Sequence, residues 1–565
     1  MRMPLREKPG SGAHNIKPRA SCVMRGPCEF SRRYVRLPRV VVADRPRPRR
    51  LPTTWLDELS ARAEARAPWI LCCFAGVYLV ATCGRASQKL FWHDELFTVY
   101  LTRLPNLSDV WRAIEQGAEA APPLFSAITR ASIGLFGEGL ISGRLPGIVG
   151  FLVASLAVYS FVKRRYGALY GLVASLLPSA THAYVFAYEA RPYGLVLGFA
   201  GIAMVAWQRA AEGRRRVLWL LLLGTSLSAA VLCHYYAVLL LAPLALAEMT
   251  RLWSRRTPDW AMWVVFVAPL TALALMAPLI RSAVADVPRF YSAVSPAVLQ
   301  ESYESVLVPL SMPAVVMLIA MCAVTMLGRR DLSFVRPVDA TAAPLHEWVA
   351  VVGLMLLPLW GAIVAQLITG GYMPRYGIAW VLGFSITTAF VAATVSTTPK
   401  VTGAVALVTL LGWTSAKMMP SAKLLAAEPP TIARTNAALL ATRGGSLPIV
   451  VTHAHVFFPL AEYAPRDIAA RLVMLAAPPR VAPQWIGTSE RTLMALSTMF
   501  PLRVDEFDTF IARYRRFMVY GPPMWVTEEL RAAGARLDLK GEEREVAPFS
   551  VSNPAGIFLY EVTFD

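Results

Sequence analysis

The chain has 565 residues, 56% hydrophobic and 16% charged, with a formal net charge of +19. An ordinary soluble domain carries about 25% charged residues, so this composition excludes a simple globular protein and implies repeated membrane crossings. The cations cluster between apolar runs, a distribution that holds loops in the cytoplasm; no nucleic-acid partner is expected.

In chain order, residues 1–66 come first. They are rich in Arg and Pro, with "RPRPRR" at Arg45 to Arg50, and lack the apolar region of a signal peptide. They read as a disordered basic cytoplasmic segment. Apolar stretches of spanning length then recur at 68–84, 144–162, 167–187, 193–209, 217–233, 236–252, 260–280, 305–327, 347–369, 376–396 and 400–417. Cations follow every second stretch: Lys163 to Arg165, Arg214 to Arg216, Arg251 with Arg255 and Arg256, Arg329 with Arg330, and Lys400. These connections face the cytoplasm by the positive-inside rule. The N-terminus is then inside, and an odd number of spans leaves the C-terminus outside.

The outer loop from Gly84 to Gly143 contains two predicted surface helices. "LSDVWRAIEQG" places Val110, Trp111 and Ile114 on one side, with Ser108 as a candidate N-cap. "APPLFSAITRASIGLFG" opens with Pro122 and Pro123 and is interrupted by Arg130. After Pro420 the hydrophobic runs shorten and charges of both signs mix. "LPIVVTH" and "RRFMVYG" predict buried strands; "DEFDTFIARYRR" and "TEELRAAGA" predict helices. The domains expected are 1–66, a membrane region 67–419, and a small extracytoplasmic α/β domain 420–565. His453 and His455 alternate near a strand end, where a loop position explains them as well as metal ligation does. The seven cysteines stop at Cys322 and form no CxxC, so no structural zinc site is expected.

The topology collects polar residues on the outer face: His93, Asp94, Glu95, Arg144, Tyr188, Glu189, Arg191, Tyr193, His234, Tyr235, Arg375 and Tyr376. Each alone reads as ordinary loop polarity. As a set, they suit one reaction. Arginines bind phosphate through charge-assisted bonds, aromatic residues offer faces and hydroxyls to a sugar, and a carboxylate can accept a proton from a hydroxyl nucleophile. This fits attack on the anomeric carbon of a lipid-phosphate sugar, whose phosphate leaves as a stable anion without a general acid. His182 reads as an interhelical hydrogen-bonding residue, Tyr184 and Tyr188 as an interfacial belt, and Trp219 and Trp360 as packing.

"HDEL" after the first span, "APPL", "GRLPG", "YEARPYG", "HYYA" and "PRYG" occur in an order that resembles the GT-C superfamily over residues 68–417. Within it they resemble bacterial membrane glycosyltransferases related to protein O-mannosyltransferases and lipid A aminoarabinose transferases. The resemblance implies a GT-C-like polytopic helical protein of about eleven spans in a bacterial inner membrane, with a periplasmic C-terminal domain. It implies that Asp94 orients or deprotonates the acceptor, with Glu95 in the same site. It also implies Arg191 and Arg375 near the donor phosphate; Arg144 is placed with them. His93, Glu189, Tyr193, His234, Tyr235 and Tyr376 are the expected substrate-binding residues. The resemblance assigns no definite cofactor, since relatives differ in metal use; a divalent metal on Glu95 with His234 or His93 stays open. The partners implied are a polyprenyl-phosphate sugar, membrane lipids, and a glycolipid, polysaccharide or protein acceptor. A transporter or flippase of a lipid-linked sugar is the alternative.

Overall fold

The computed structural model describes residues 54–284, 294–327, 343–396, 398–481, 487–543 and 556–564. Most of the basic segment expected over 1–66 lies outside this set, as do Arg329 and Arg330. Its last part does not stay irregular: α1 (Thr54–Ala65) forms where good helix formers meet an Arg62–Glu58 pair one turn apart. The helices that follow are α2 (Ala67–Ser87), α3 (His93–Arg103), α4 (Leu107–Glu115), α5 (Leu124–Phe136), α6 (Leu145–Ala180), α7 (Tyr193–Ala211), α8 (Arg216–Cys233), α9 (Leu241–Arg255), α10 (Trp260–Leu275) and α11 (Ala277–Val284). Then come α12 (Pro296–Leu307), α13 (Ser311–Leu327), α14 (Leu345–Met355), α15 (Leu357–Val364), α16 (Trp380–Val395) and α17 (Pro399–Ala422).

Most of each of the eleven apolar stretches falls on these helices, the rest on short 3-10 or π turns at their ends. By length and composition, seven helical segments of the described residues suffice to cross a bilayer, or up to nine when two bent pairs each count as one span. Nine falls short of the eleven expected stretches at α6, which carries two of them, and at α16. α16 has 16 residues, short for a straight crossing. α6 changes direction at Gly167, whose φ of 82° suits a residue without Cβ. Residues 159 and 171 of a straight helix would be about 18 Å apart. Here a Cβ on Gly171 would come 3.0 Å from the Tyr159 carbonyl oxygen. α6 is therefore a helical hairpin, with "KRRYG" at its tip.

The expected surface helices are α4 and α5. Asn106 rather than Ser108 occupies the N-cap position of α4, and Val110, Ala113 and Ile114 form its buried side. α6 and α7 meet along a seam of small residues. A Cβ on Gly150 would lie 2.5 Å from the Gly194 carbonyl oxygen, and one on Gly198 would lie 2.6 Å from that of Gly150. Such close backbone approach is the main way helices gain packing energy in lipid. It fixes the Glu189–Arg191 turn at the mouth of the seam. At the other end of the bundle, Glu248 accepts from Trp207 and Arg251, while Glu347 accepts from Arg165 and Gln208. Those acids are paired, as buried charges must be.

The C-terminal domain contains α18 (Ala437–Leu440), β1 (Ile449–Val451), α19 (Ala454–Tyr463), α20 (Arg466–Ala469), β2 (Leu472–Ala476), α21 (Thr488–Ser497), β3 (Val504–Glu506), α22 (Phe507–Arg513), β4 (Arg516–Gly521), α23 (Trp525–Ala532), β5 (Arg536–Glu543) and β6 (Ile557–Thr563). The strand and helix segments expected from the sequence are β1, β4, α22 and α23. The sheet order is β3-β2-β1-β4-β6-β5. The first four strands are parallel, and β6 and β5 close the edge antiparallel. The winding reverses between β1 and β4, and ligand crevices in such sheets open at the carboxyl ends of those strands. His453 lies two residues past the end of β1 and caps α19. Phe457, Phe458 and Leu460 of α19 share one buried cluster with Leu96, Phe97 and Leu101 of α3. The crevice is thereby docked on the helix that carries the acidic pair.

A branched side chain cannot enter the α6–α7 seam. Gly150→Leu is expected to abolish recovery of monodisperse protein in detergent, measured by size-exclusion chromatography, whereas exposed Gly76→Leu, which meets nothing within 4 Å, leaves it intact.

Candidate functional site

Asp94 and Glu95 open α3, where negative charge is favoured by the helix dipole. Adjacent in sequence, they point into different environments. Glu95 is enclosed. Its Oε1 accepts from Arg144 Nε at 2.7 Å and from the Ala190 backbone N–H at 2.6 Å. Its Oε2 accepts from Arg144 Nη2 at 2.7 Å and from the Trp92 N–H at 3.2 Å. All four acceptor positions of the carboxylate are filled. Arg144 in turn donates to the carbonyls of Ala86, Lys89 and Leu90. Both side chains are 0% exposed. Burial alone would raise the Glu95 carboxyl, but the guanidinium outweighs it and keeps it ionised. This geometry corrects two sequence expectations. Arg144 has no face left for a donor phosphate, and Glu95 has no lone pair left for a proton or a cation. The pair braces the α2–α3 link, α3, the start of α6 and the Glu189–Arg191 turn.

Asp94 faces the opposite way. Its Oδ2 lies 3.1 Å from Arg375 Nη2 and 4.0 Å from Arg191 Nη2, and its Oδ1 lies 3.3 Å from His93 Nε2. Burial works against its charge, yet Arg191, His93 and Arg375 prevail and hold its carboxyl well below the usual carboxylate range. Arg191 is oriented by the Asp94 carbonyl at 2.9 Å and by Glu119 Oε2 at 2.7 Å.

Arg191 and Glu119 lie on the wall of a cavity also lined by Tyr193, His234, Tyr235, Tyr236 and Tyr376, with Thr488 and Thr492 from the C-terminal domain. Tyr236 is held by Thr369 and the Gly371 carbonyl, and its ring lies 5.0 Å from that of Tyr376. His234 sits among the rings of Tyr193, Tyr236 and Tyr376. The Tyr235 hydroxyl and Arg191 Nε are buried without a protein partner among the described residues. The wall thus presents one guanidinium, aromatic faces and unused hydrogen-bonding atoms.

Asp94 and Arg375 lie behind Arg191 rather than on this wall, and the remaining expected residues do not line it either. Glu189 turns to Lys89 at 2.9 Å. His93 is buried behind Asp94, 4% exposed, with its ring stacked on His455 at 3.4 Å and 8°. His455 Nε2 is 2.8 Å from Ser489 Oγ, and His453 Nδ1 accepts the His455 N–H at 3.0 Å. Burial keeps the imidazoles neutral, pushing His93 down to about 4 and His455 to about 2. Among the described residues no three His, Cys, Asp or Glu side chains converge as metal ligands. His182 is exposed rather than interhelical, and Tyr184 is buried with its hydroxyl against Thr82 rather than lying in an interfacial belt.

Sequence reasoning passed over Glu119 and underrated His455. The signal for Glu119 was an acid two residues before "APPL" in a loop already known to face the site. Nothing in the sequence ties His455 to His93, because their contact depends on how two separate units dock.

A bundle of apolar helices, surface helices carrying the acidic pair, and an α/β cap over them make this a multi-pass membrane protein with the GT-C fold. The crystal structure of ArnT from Cupriavidus metallidurans in the apo state matches with a TM-score of 0.52 at 12% identity, covering 88% of this chain and 98% of ArnT. The same protein bound to undecaprenyl phosphate matches at 0.51 and 12% identity, over 87% and 98%. Residues 120–281 match the family model described as dolichyl-phosphate-mannose-protein mannosyltransferase. No curated protein sequence shows significant similarity to the chain.

Removing one partner of a buried ion pair leaves the other uncompensated, at about 3–5 kcal/mol. Arg144→Ala is therefore expected to lower the melting temperature in detergent by several degrees; an unchanged value would show that the brace contributes little. The buried imidazoles set a pH dependence. An unfolded histidine binds protons near pH 6.5, while His93 in the fold resists until about 4. This contribution is complete above about pH 6.5 and declines as pH falls through that interval. His455→Phe keeps a stacked ring, and its melting temperature should fall less than the wild type's between pH 7 and pH 5.

Proposed function

We propose that this protein is a glycosyltransferase that moves a sugar from a polyprenyl-phosphate donor to an acceptor hydroxyl or phosphate at the periplasmic face of the inner membrane. The observation that carries the reading is Asp94 held between Arg375 and Arg191 beside an aromatic-walled cavity. The N-terminus lies in the cytoplasm and residues 420–565 form the periplasmic domain, as the distribution of loop cations favours.

In this reading Arg191 and Arg375 bind the donor phosphate and stabilise it as it leaves. Tyr193, His234, Tyr235 and Tyr376 enclose the sugar. Asp94 orients the acceptor and, for a hydroxyl, takes its proton as the new glycosidic bond forms and the anomeric C–O bond to phosphate breaks. A carboxylate held so acidic is a weak base in the resting site. A donor phosphate shares the charge of both guanidiniums, so its arrival relaxes their hold and raises the basicity of Asp94. Proton transfer is thereby coupled to donor occupancy. Glu119 keeps Arg191 aimed at the cavity; Glu95 and Arg144 hold the frame. Thr488 and Thr492 contribute the periplasmic domain's side of the acceptor path.

The test uses membranes supplied with labelled polyprenyl-phosphate sugar. Asp94→Asn is expected to reduce transfer about 100-fold or more; unchanged transfer would remove Asp94 from the chemistry. Arg191→Ala should weaken donor binding about 10- to 100-fold, the worth of one charge-assisted contact. Lipid movement between leaflets by the purified protein, with no glycosylated product, would favour a flippase instead.

A further inference from the structure

We propose that Arg85 and Lys417 form a second anion site, outside the Asp94 cavity, that takes the phosphate headgroup of a negatively charged membrane lipid.

On the membrane face that carries Asp94, the buried acids have cationic partners: Glu95 with Arg144, Glu189 with Lys89, Glu119 with Arg191, and Asp94 with Arg375. Arg85 and Lys417 are left over. Among the described residues no ion pair involves either one. Arg85 donates to Ser421 Oγ at 2.8 Å, to the Lys417 carbonyl at 3.0 Å and to the Tyr188 hydroxyl at 3.3 Å. Lys417 Nζ donates to the Thr181 carbonyl at 2.9 Å. Every partner is a neutral oxygen. Both cations also lie over the ring of Tyr184, at 5.5 and 5.3 Å from its centroid. Two positive charges thus share one aromatic ring with no carboxylate paired to either among the described residues, which is unfavourable unless an anion joins them.

Their position suggests where that anion comes from. Arg85 is in the last turn of α2, Lys417 near the end of α17, and His182 just past the end of α6. Three apolar helices end here, at the level of lipid headgroups. Both cations are half-buried and His182 is exposed, so the site opens outward. Helix-end carbonyls explain the placement of Lys417 alone. They do not explain a guanidinium converging on the same ring. A phosphodiester with net negative charge satisfies both cations and the Tyr188 hydroxyl together. The inference does not depend on glycosyl transfer.

The test is native mass spectrometry of the purified full chain in detergent, offered equal amounts of phosphatidylglycerol and phosphatidylcholine. The wild type should retain phosphatidylglycerol preferentially. Each surface cation contributes about fivefold to such binding, so Arg85→Gln with Lys417→Gln should reduce the preference about 30-fold. Because that double variant removes helix-end contacts, His182→Glu supplies an independent probe on an exposed position. Its carboxylate, beside Lys417, should displace the lipid, while His182→Gln should not. An unchanged preference in His182→Glu would overturn the proposal. So would displacement of phosphatidylglycerol by equimolar inorganic phosphate, which would mark a site for the free ion.

Discussion

The bidentate contact between Glu95 and Arg144 is the constraint on which the site depends. It lies among backbone groups that would otherwise be buried without partners. One carboxylate satisfies the Ala190 and Trp92 N–H groups; one guanidinium satisfies three carbonyls of the α2–α3 link. Neither ion would be stable there alone, because a desolvated charge needs both its counter-ion and its hydrogen bonds. Their mutual requirement joins α3 to the Glu189–Arg191 turn, and so sets the separation between Asp94 and Arg191.

The contrast between Asp94 and Glu95 shows how neighbouring identical charges acquire different roles. Successive residues in a first helical turn point about 100° apart. One side meets the interior of the loop region and becomes a structural ion. The other meets two guanidiniums and an imidazole, one of those guanidiniums being Arg191 on the cavity wall. The imidazole is backed by His455, at the carboxyl-end crevice of the C-terminal sheet. The domain therefore does more than cover the membrane region: it supplies part of the support behind Asp94.

Hydrophobic stretches, their order and the flanking cations were legible in the sequence because membrane insertion leaves few alternatives. The apolar stretches are largely helical, and Asp94 comes together with Arg191 and Arg375, whereas its neighbour Glu95 turns away to Arg144. What could not be read was which charges pair. Arg144 and Arg191 look alike in sequence, yet one is sealed behind the site and the other lies on its wall. Glu119 and His455 escaped for the same reason: ion pairing and ring stacking across distant segments have no local periodicity. The hairpin within α6 was legible from "KRRYG", since a basic tip marks a return to the cytoplasm, whereas the bends after α10 and α14 have no comparable charge signal.

The central claim is that one phosphate joins the two guanidiniums that hold Asp94. A cryo-electron microscopy structure of the wild-type protein with undecaprenyl phosphate tests this most directly. The account predicts the phosphate in contact with both Arg191 and Arg375, with the Asp94 carboxylate turned toward the cavity. Density for the phosphate elsewhere, with the Asp94 contacts to Arg191 and Arg375 unaltered, would contradict it.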